Sequence, residues 1–143
     1  DARFVATRYY NYTALHFACE KGELDGNVKN VELLLNHGAD PNARTLQGNT
    51  PLHLLIYMMP SSVSRRLQYI DMLLASGGDI NARGEGGKTF LHELVHAKDF
   101  GFIKLLRKRY RSLLDLSVKN DAGLTAKELA ESFRYDDVVK ALS

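Results

Sequence analysis

The chain has 143 residues, of which 45% are apolar and 25% charged, the length of one domain and the composition of an ordinary globular protein. Its formal net charge of +2 is too small to imply nucleic acid on its own, so any electrostatic partner has to be argued locally. No apolar run approaches the ~20 residues of a membrane span, Asp1-Ala2-Arg3-Phe4 lacks the layout of an export signal, and the lone Cys19 excludes an internal disulfide, which suits a reducing compartment.

The first helix start signal is Thr13-Ala14-Leu15-His16. It recurs as Thr50-Pro51-Leu52-His53, as Thr89-Phe90-Leu91-His92 and, worn down, as Thr125-Ala126-Lys127-Glu128, at intervals of 37 (50 minus 13), 39 (89 minus 50) and 36 (125 minus 89). Each copy precedes a second apolar run with helical character: Val31 to Leu35, Ile70 to Leu74, Ile103 to Leu106, and Val138 to Leu142. Behind the first two runs lie Gly38-Ala39-Asp40-Pro41-Asn42 and Gly77-Gly78-Asp79-Ile80-Asn81. Gly stands where a helix closes on a left-handed residue, and Asp and Asn where the turn needs local side-chain acceptors.

The tetrad, the second apolar run and the Gly-Ala-Asp-x-Asn connection together resemble the ankyrin repeat family over residues 11–143. The resemblance implies an all-α fold, an ankyrin-repeat α-solenoid of stacked helix-turn-helix units joined by β-hairpin-like loops, in which one unit cannot bury its apolar side alone. The expected division is a single domain, 1–143. Residues 1–12 form the tail of a preceding repeat, 13–49 repeat 1, 50–88 repeat 2, 89–124 repeat 3 and 125–143 a C-terminal capping repeat. Aligning Thr13 with Thr50 places residues 3–11 on residues 40–48, so the chain is expected to begin inside a hairpin.

Two inserts are expected between paired helices, Glu23 to Asn30 and Met58 to Arg65, where Gly, Pro, Asn and Ser collect. They are expected to lengthen the joining turn. Arg107 to Asp115 replaces the short connection of the third repeat, so its second helix is expected to run longer. In the fourth, Ala126, Lys127 and Glu128 replace Pro, Leu and His, which fits a terminal unit with one face in water.

Three motifs mimic chemistry. His92-Glu93-Leu94-Val95-His96 spells H-E-x-x-H, which on a helix offers two imidazoles to zinc with the Glu as general base. But His92 fills the tetrad position that His16 and His53 also fill, and no third ligand is evident, so a His bonding the neighbouring hairpin backbone is expected instead. Gly87-Lys88-Thr89 resembles the end of a phosphate-binding loop, yet Gly87 and Thr89 match Gly48 and Thr50, and no parallel strand precedes them. A hairpin tip is expected. Cys19 falls where a small apolar residue is packed. No catalytic, cofactor-binding or metal-binding residue is therefore expected, and the alternative, an enzyme using His92, Glu93 and His96 or the Gly87-Lys88-Thr89 loop, is disfavoured.

By resemblance, binding falls to the hairpin tips and the exposed side of the first helices, which line a concave groove. The tips are Tyr9 and Tyr10; Thr45, Leu46 and Gln47; Glu85 and Gly86; and Asp121 and Ala122. On the first helices, residues four and seven beyond each Thr point to the groove: Phe17 and Glu20, Leu54 and Tyr57, Glu93 and His96. Aromatic side chains bury large area at low entropic cost, so Tyr9, Tyr10, Phe17, Leu46 and Tyr57 form the expected strip. Lys104, Arg107, Lys108 and Arg111 recur at helical spacing as a basic patch, either a solvated helix end or a contact for an acidic partner, a phosphorylated segment or a nuclear-import receptor, with nucleic acid least favoured. The expected partner is another protein, bound by an intracellular monomer, with neither membrane nor nucleic acid involved.

Overall fold

A computed structural model describes residues 10–21, 28–57 and 63–143. Among these are seven α-helices, two short 3-10 helices and no strand. The chain divides into two compact units, residues 1–79 and 80–143.

In the first unit, α1 (Ala14–Glu20) starts at Thr13, whose side chain accepts from the His16 backbone N–H while the His16 ring accepts from the Thr13 N–H. Two of the donors that any helix start leaves orphaned are thereby satisfied. Next come α2 (Lys29–Asn36), a 3-10 helix (His53–Tyr57) and α3 (Val63–Ala75). Helix α1 packs on its paired second helix α2 and on the 3-10 helix, and α2 packs on α3. Leu15, Cys19, Val31, Leu55, Ile70 and Leu73 are sealed between them. Burying each large aliphatic side chain contributes roughly 1.5–3 kcal/mol.

The second unit repeats the plan. A 3-10 turn (Glu85–Gly87) leads to α4 (Phe90–His96), α5 (Phe100–Arg109), α6 (Ala126–Ser132) and α7 (Asp136–Ala141). Helix α4 packs on α5 and α6, and α7 on α5 and α6. Phe90 meets Phe102 edge to face at 6.3 Å, the geometry that ring quadrupoles favour. Thr125 caps α6 by accepting from the Glu128 N–H, so the cap survives in the worn tetrad although the imidazole does not.

Two expectations are corrected. The segment expected as a second insert is partly helix, because α3 already starts at Val63 and reaches 13 residues; the rest of that segment, 58–62, and most of the first insert lie outside the described residues. Arg66, in the first turns of α3, is only 2% exposed, and packing of its long stem gives these extra turns a reason to form. The second helix of repeat 3 does not run on: α5 ends at Arg109, and the Tyr110 carbonyl accepts from the Leu113 and Leu114 N–H groups in a tight turn. Tyr110, the first residue past α5, has φ −112° and a buried ring, whereas α2 and α3 are followed at the second residue past their ends by Gly38 and Gly77 with φ of +89° and +96°.

Asn42 and Asn81 serve more than their own turns. Asn42 donates to the Gly77 carbonyl and accepts from the Asp79 N–H (both 2.9 Å). Asn81 does the same with Leu113 and Asp115, at 2.8 Å each. One side chain thus satisfies a donor and an acceptor of the following connection, whereas Asp40 acts locally by accepting from the Asn42 N–H.

Candidate functional site: the hairpin tips and first helices

Three tips share one geometry. In each, the first residue exchanges backbone hydrogen bonds across a tight turn: Thr45 with Gly48 and Asn49, Gly84 with Gly87 and Lys88, Asn120 with Gly123 and Leu124. The turn closes on a glycine of positive φ, +90° at Gly48, +69° at Gly87 and +79° at Gly123. Neighbouring tips are tied to each other, since the Leu46 N–H donates to the Tyr10 carbonyl (3.1 Å) and the Asp121 N–H to the Gly86 carbonyl (2.9 Å). Backbone groups are consumed in these ties, and the side chains of Tyr10, Leu46, Gln47, Glu85 and Asp121 stay outside.

Gly87 of the Gly-Lys-Thr segment is therefore a tip glycine. A Cβ there would press on the Arg83 guanidinium and stand 2.8 Å from the Asp121 backbone nitrogen. We expect Gly87→Ala to cost roughly 1–3 kcal/mol from backbone strain alone, and more than Gly77→Ala, where a Cβ meets nothing within 4 Å. Urea unfolding of the two variants checks the order.

The tetrad histidines are struts. The Thr89 N–H donates to His92 Nδ1 at 3.2 Å, which places the ring proton on Nε2, and this nitrogen donates to the Leu124 carbonyl at 2.8 Å. His16 bridges Thr13 and Asn49 in the same way, at 3.0 Å on each side. The His53 ring accepts from the Thr50 N–H at 3.1 Å. Burial holds the His16 and His92 rings below their ordinary pKa, so the neutral form persists in the fold. His92 keeps no lone pair for a metal, and His96, one turn on, is exposed with its ring edge-on to Phe133 at 5.7 Å. The Glu of that motif, Glu93, faces Lys88 at 3.5 Å. Among the described residues no group of three or more potential ligands is placed to hold a metal ion. Cys19 is fully buried and its thiol is pushed up to about 12, so it stays protonated.

Of the residues expected at the surface, Tyr10 is 58% exposed, Leu46 54%, Tyr57 65% and Phe17 39%. Phe17 rests on the Tyr12 ring at 5.0 Å. Gln47, Glu85, Asp121 and Ala122 are exposed, and Glu20 and Glu93 half-buried. Tyr9 lies outside the described residues. Two expectations fail: Leu54 is 2% exposed and Thr45 4%. Leu54 belongs to a 3-10 rather than an α-helix, which turns about 120° per residue in place of about 100°. By the fourth residue after the Thr the helix face has rotated, and Leu54 turns inward while Ile56 moves out. Thr45 turns inward because its hydroxyl accepts from the Asn49 N–H at 3.2 Å, within the tip.

The model of a family described as ankyrin repeats, three copies, matches residues 1–83, more than half of the chain. The chain belongs to the ankyrin repeat family. No curated protein matches it. Ankyrin repeats are in general protein-binding modules and typically not enzymes, and no described helix is long and apolar enough to cross a membrane.

Two features of the ankyrin tips go beyond the expected list. Arg44 donates to the Gly48 carbonyl at 2.8 Å, and Arg83 donates to the carbonyls of Gly87 (3.2 Å) and Lys119 (3.0 Å) and to Asp121 (2.8 Å). The repeated Asn-Ala-Arg at 42–44 and 81–83 is the signal that could have found them. Beside His96 lies a row of rings, Phe133 against Tyr135 at 5.4 Å and Tyr135 against Phe100 at 4.9 Å. Phe133 and Tyr135 fall in the turn between α6 and α7, and Phe100 opens α5, positions that no periodic pattern marks.

Proposed function

We propose that the chain is a non-catalytic protein-protein interaction module whose partner docks on the hairpin tips and the first helices. The observation that supports this best is the pairing of Tyr10 and Leu46. Both side chains are more than half exposed, yet they sit on adjacent tips held rigid by the hydrogen bond between their backbones. Large side chains on a fixed backbone lose little entropy on binding. Phe17 and Tyr57, exposed on first helices of the first unit, extend the surface, with Gln47 and Glu20 as its polar rim; in the second unit Glu85 takes the corresponding tip position, and Glu93 and His96 the corresponding positions on a first helix.

We further read residues 13–49, 50–88, 89–124 and 125–143 as successive repeats of an intracellular monomer that forms the recognition part of a larger scaffold, adaptor, regulator or effector. The test is an affinity pull-down read by mass spectrometry, run with the parent chain and with Tyr10→Ala/Leu46→Ala. Both positions are exposed, so the double variant should melt within a few degrees of the parent and lose at least one partner that the parent retains. An unchanged set of partners at unchanged affinity would remove the tips from the interface.

A further inference from the structure

Helix α5 carries the sharpest concentration of charge in the chain, with Lys104, Arg107 and Lys108 on its last turns and Arg111 just past its end. Placing cations at a helix C-terminus offsets the helix dipole, and that accounts for the sign of the cluster. It does not account for its shape. The four side chains line one open cleft of about 380 Å³, which Ala141, the last residue of α7, and Ser143 also line. None of the four makes an ion pair with a carboxylate among the described residues, although Asp136 and Asp137 begin the same α7. Arg109, by contrast, is turned aside, its Nε donating to the Tyr110 hydroxyl at 3.3 Å. Arg107 Nε is shielded from water and has no hydrogen-bond partner.

We propose that this cleft is a docking site for a phosphorylated peptide segment of a partner protein. Charge and shape decide the class. A phosphoryl group brings a charge of about −1.5 to −2 and three acceptor oxygens, and the planar forks of Arg107 and Arg111 match two of those oxygens at once. The cleft volume equals that of roughly a dozen waters, room for a phosphorylated side chain and the backbone beside it. A membrane surface fits poorly, because none of the exposed large apolar side chains lines the cleft. A nucleic acid would demand a longer basic track than one helix end supplies. The site shares no residue with the hairpin tips and stands or falls independently of them.

The test titrates the full chain into a short fluorescein-labelled peptide carrying two phosphoserines, read by anisotropy, beside its unphosphorylated counterpart and vesicles of phosphatidylserine in phosphatidylcholine. The phosphopeptide should bind saturably and the counterpart should not. Arg107→Gln/Lys108→Gln should weaken binding by about tenfold or more, and added salt should weaken it further. Tyr10→Ala/Leu46→Ala should bind like the parent. Should the first double variant lose its fold, Lys104→Gln/Arg111→Gln, at two exposed positions, gives the same reading. The proposal is overturned by absence of saturable binding, by equal binding of the unphosphorylated peptide, by undiminished affinity of the charge variants, or by vesicles that capture the chain as tightly as the phosphopeptide does.

Discussion

Replacing Leu73 by Ala is expected to destabilise the chain by about 2–5 kcal/mol. Leu73 is completely buried on α3, the helix that packs against α2. In a repeat architecture each unit has an apolar face it cannot cover itself, so stability resides in the contacts between neighbours. Truncating Leu73 removes transfer free energy and leaves a cavity between second helices that close packing keeps from collapsing. The matched control is Leu33→Ala on α2, a residue of the same type that is 54% exposed; there the loss should stay within about 0.5 kcal/mol. Equilibrium urea denaturation of the two variants reads the difference directly. Equal losses would mean that α2 and α3 do not meet as described.

His92→Ala is expected to cost about 2–5 kcal/mol, because the Thr89 N–H and the Leu124 carbonyl both lose a buried partner and each such orphan costs about 1–3 kcal/mol. His96→Ala should cost about 1 kcal/mol or less, since it loses only the ring contact with Phe133. A zinc pair would make the two residues interdependent, and this asymmetry separates the two roles.

Acid should act through the same struts. The folded pKa values of His16 and His92 lie below the ordinary 6.5, so the unfolded chain takes up protons first. The stabilisation is fully present above the unfolded value and is lost as pH falls through the folded ones. Thermal unfolding between pH 7 and pH 5 should therefore show a falling midpoint, with a shallower slope in His92→Ala.

Repeat register was legible because the Thr and His of the tetrad are used twice over, within the capping box and across to the next turn, which ties sequence spacing to backbone geometry. The same double use accounts for His92 within H-E-x-x-H, and the tip turn accounts for Gly87 within Gly-Lys-Thr. Leu54 was not legible. The tetrad marks where a first helix begins, and whether it winds as α or 3-10 depends on packing that follows. The insert before Arg65 was misassigned for a similar reason: Pro60, Ser61 and Ser62 signal a break, but nothing in that composition tells that Arg66 is buried and that helix resumes at Val63. For the basic patch, helical spacing alone groups the four cations, while the cleft they line also involves Ala141 and Ser143, which follow from the packing of α7 on α5.

Hydrogen–deuterium exchange of the chain with and without a partner recovered in the pull-down tests the central claim most directly. Binding at the tips and first helices predicts added protection at residues 45–48 and 14–20, with α2 and α3 unchanged. Protection confined to the second helices, with the tips exchanging as freely as before, would contradict it.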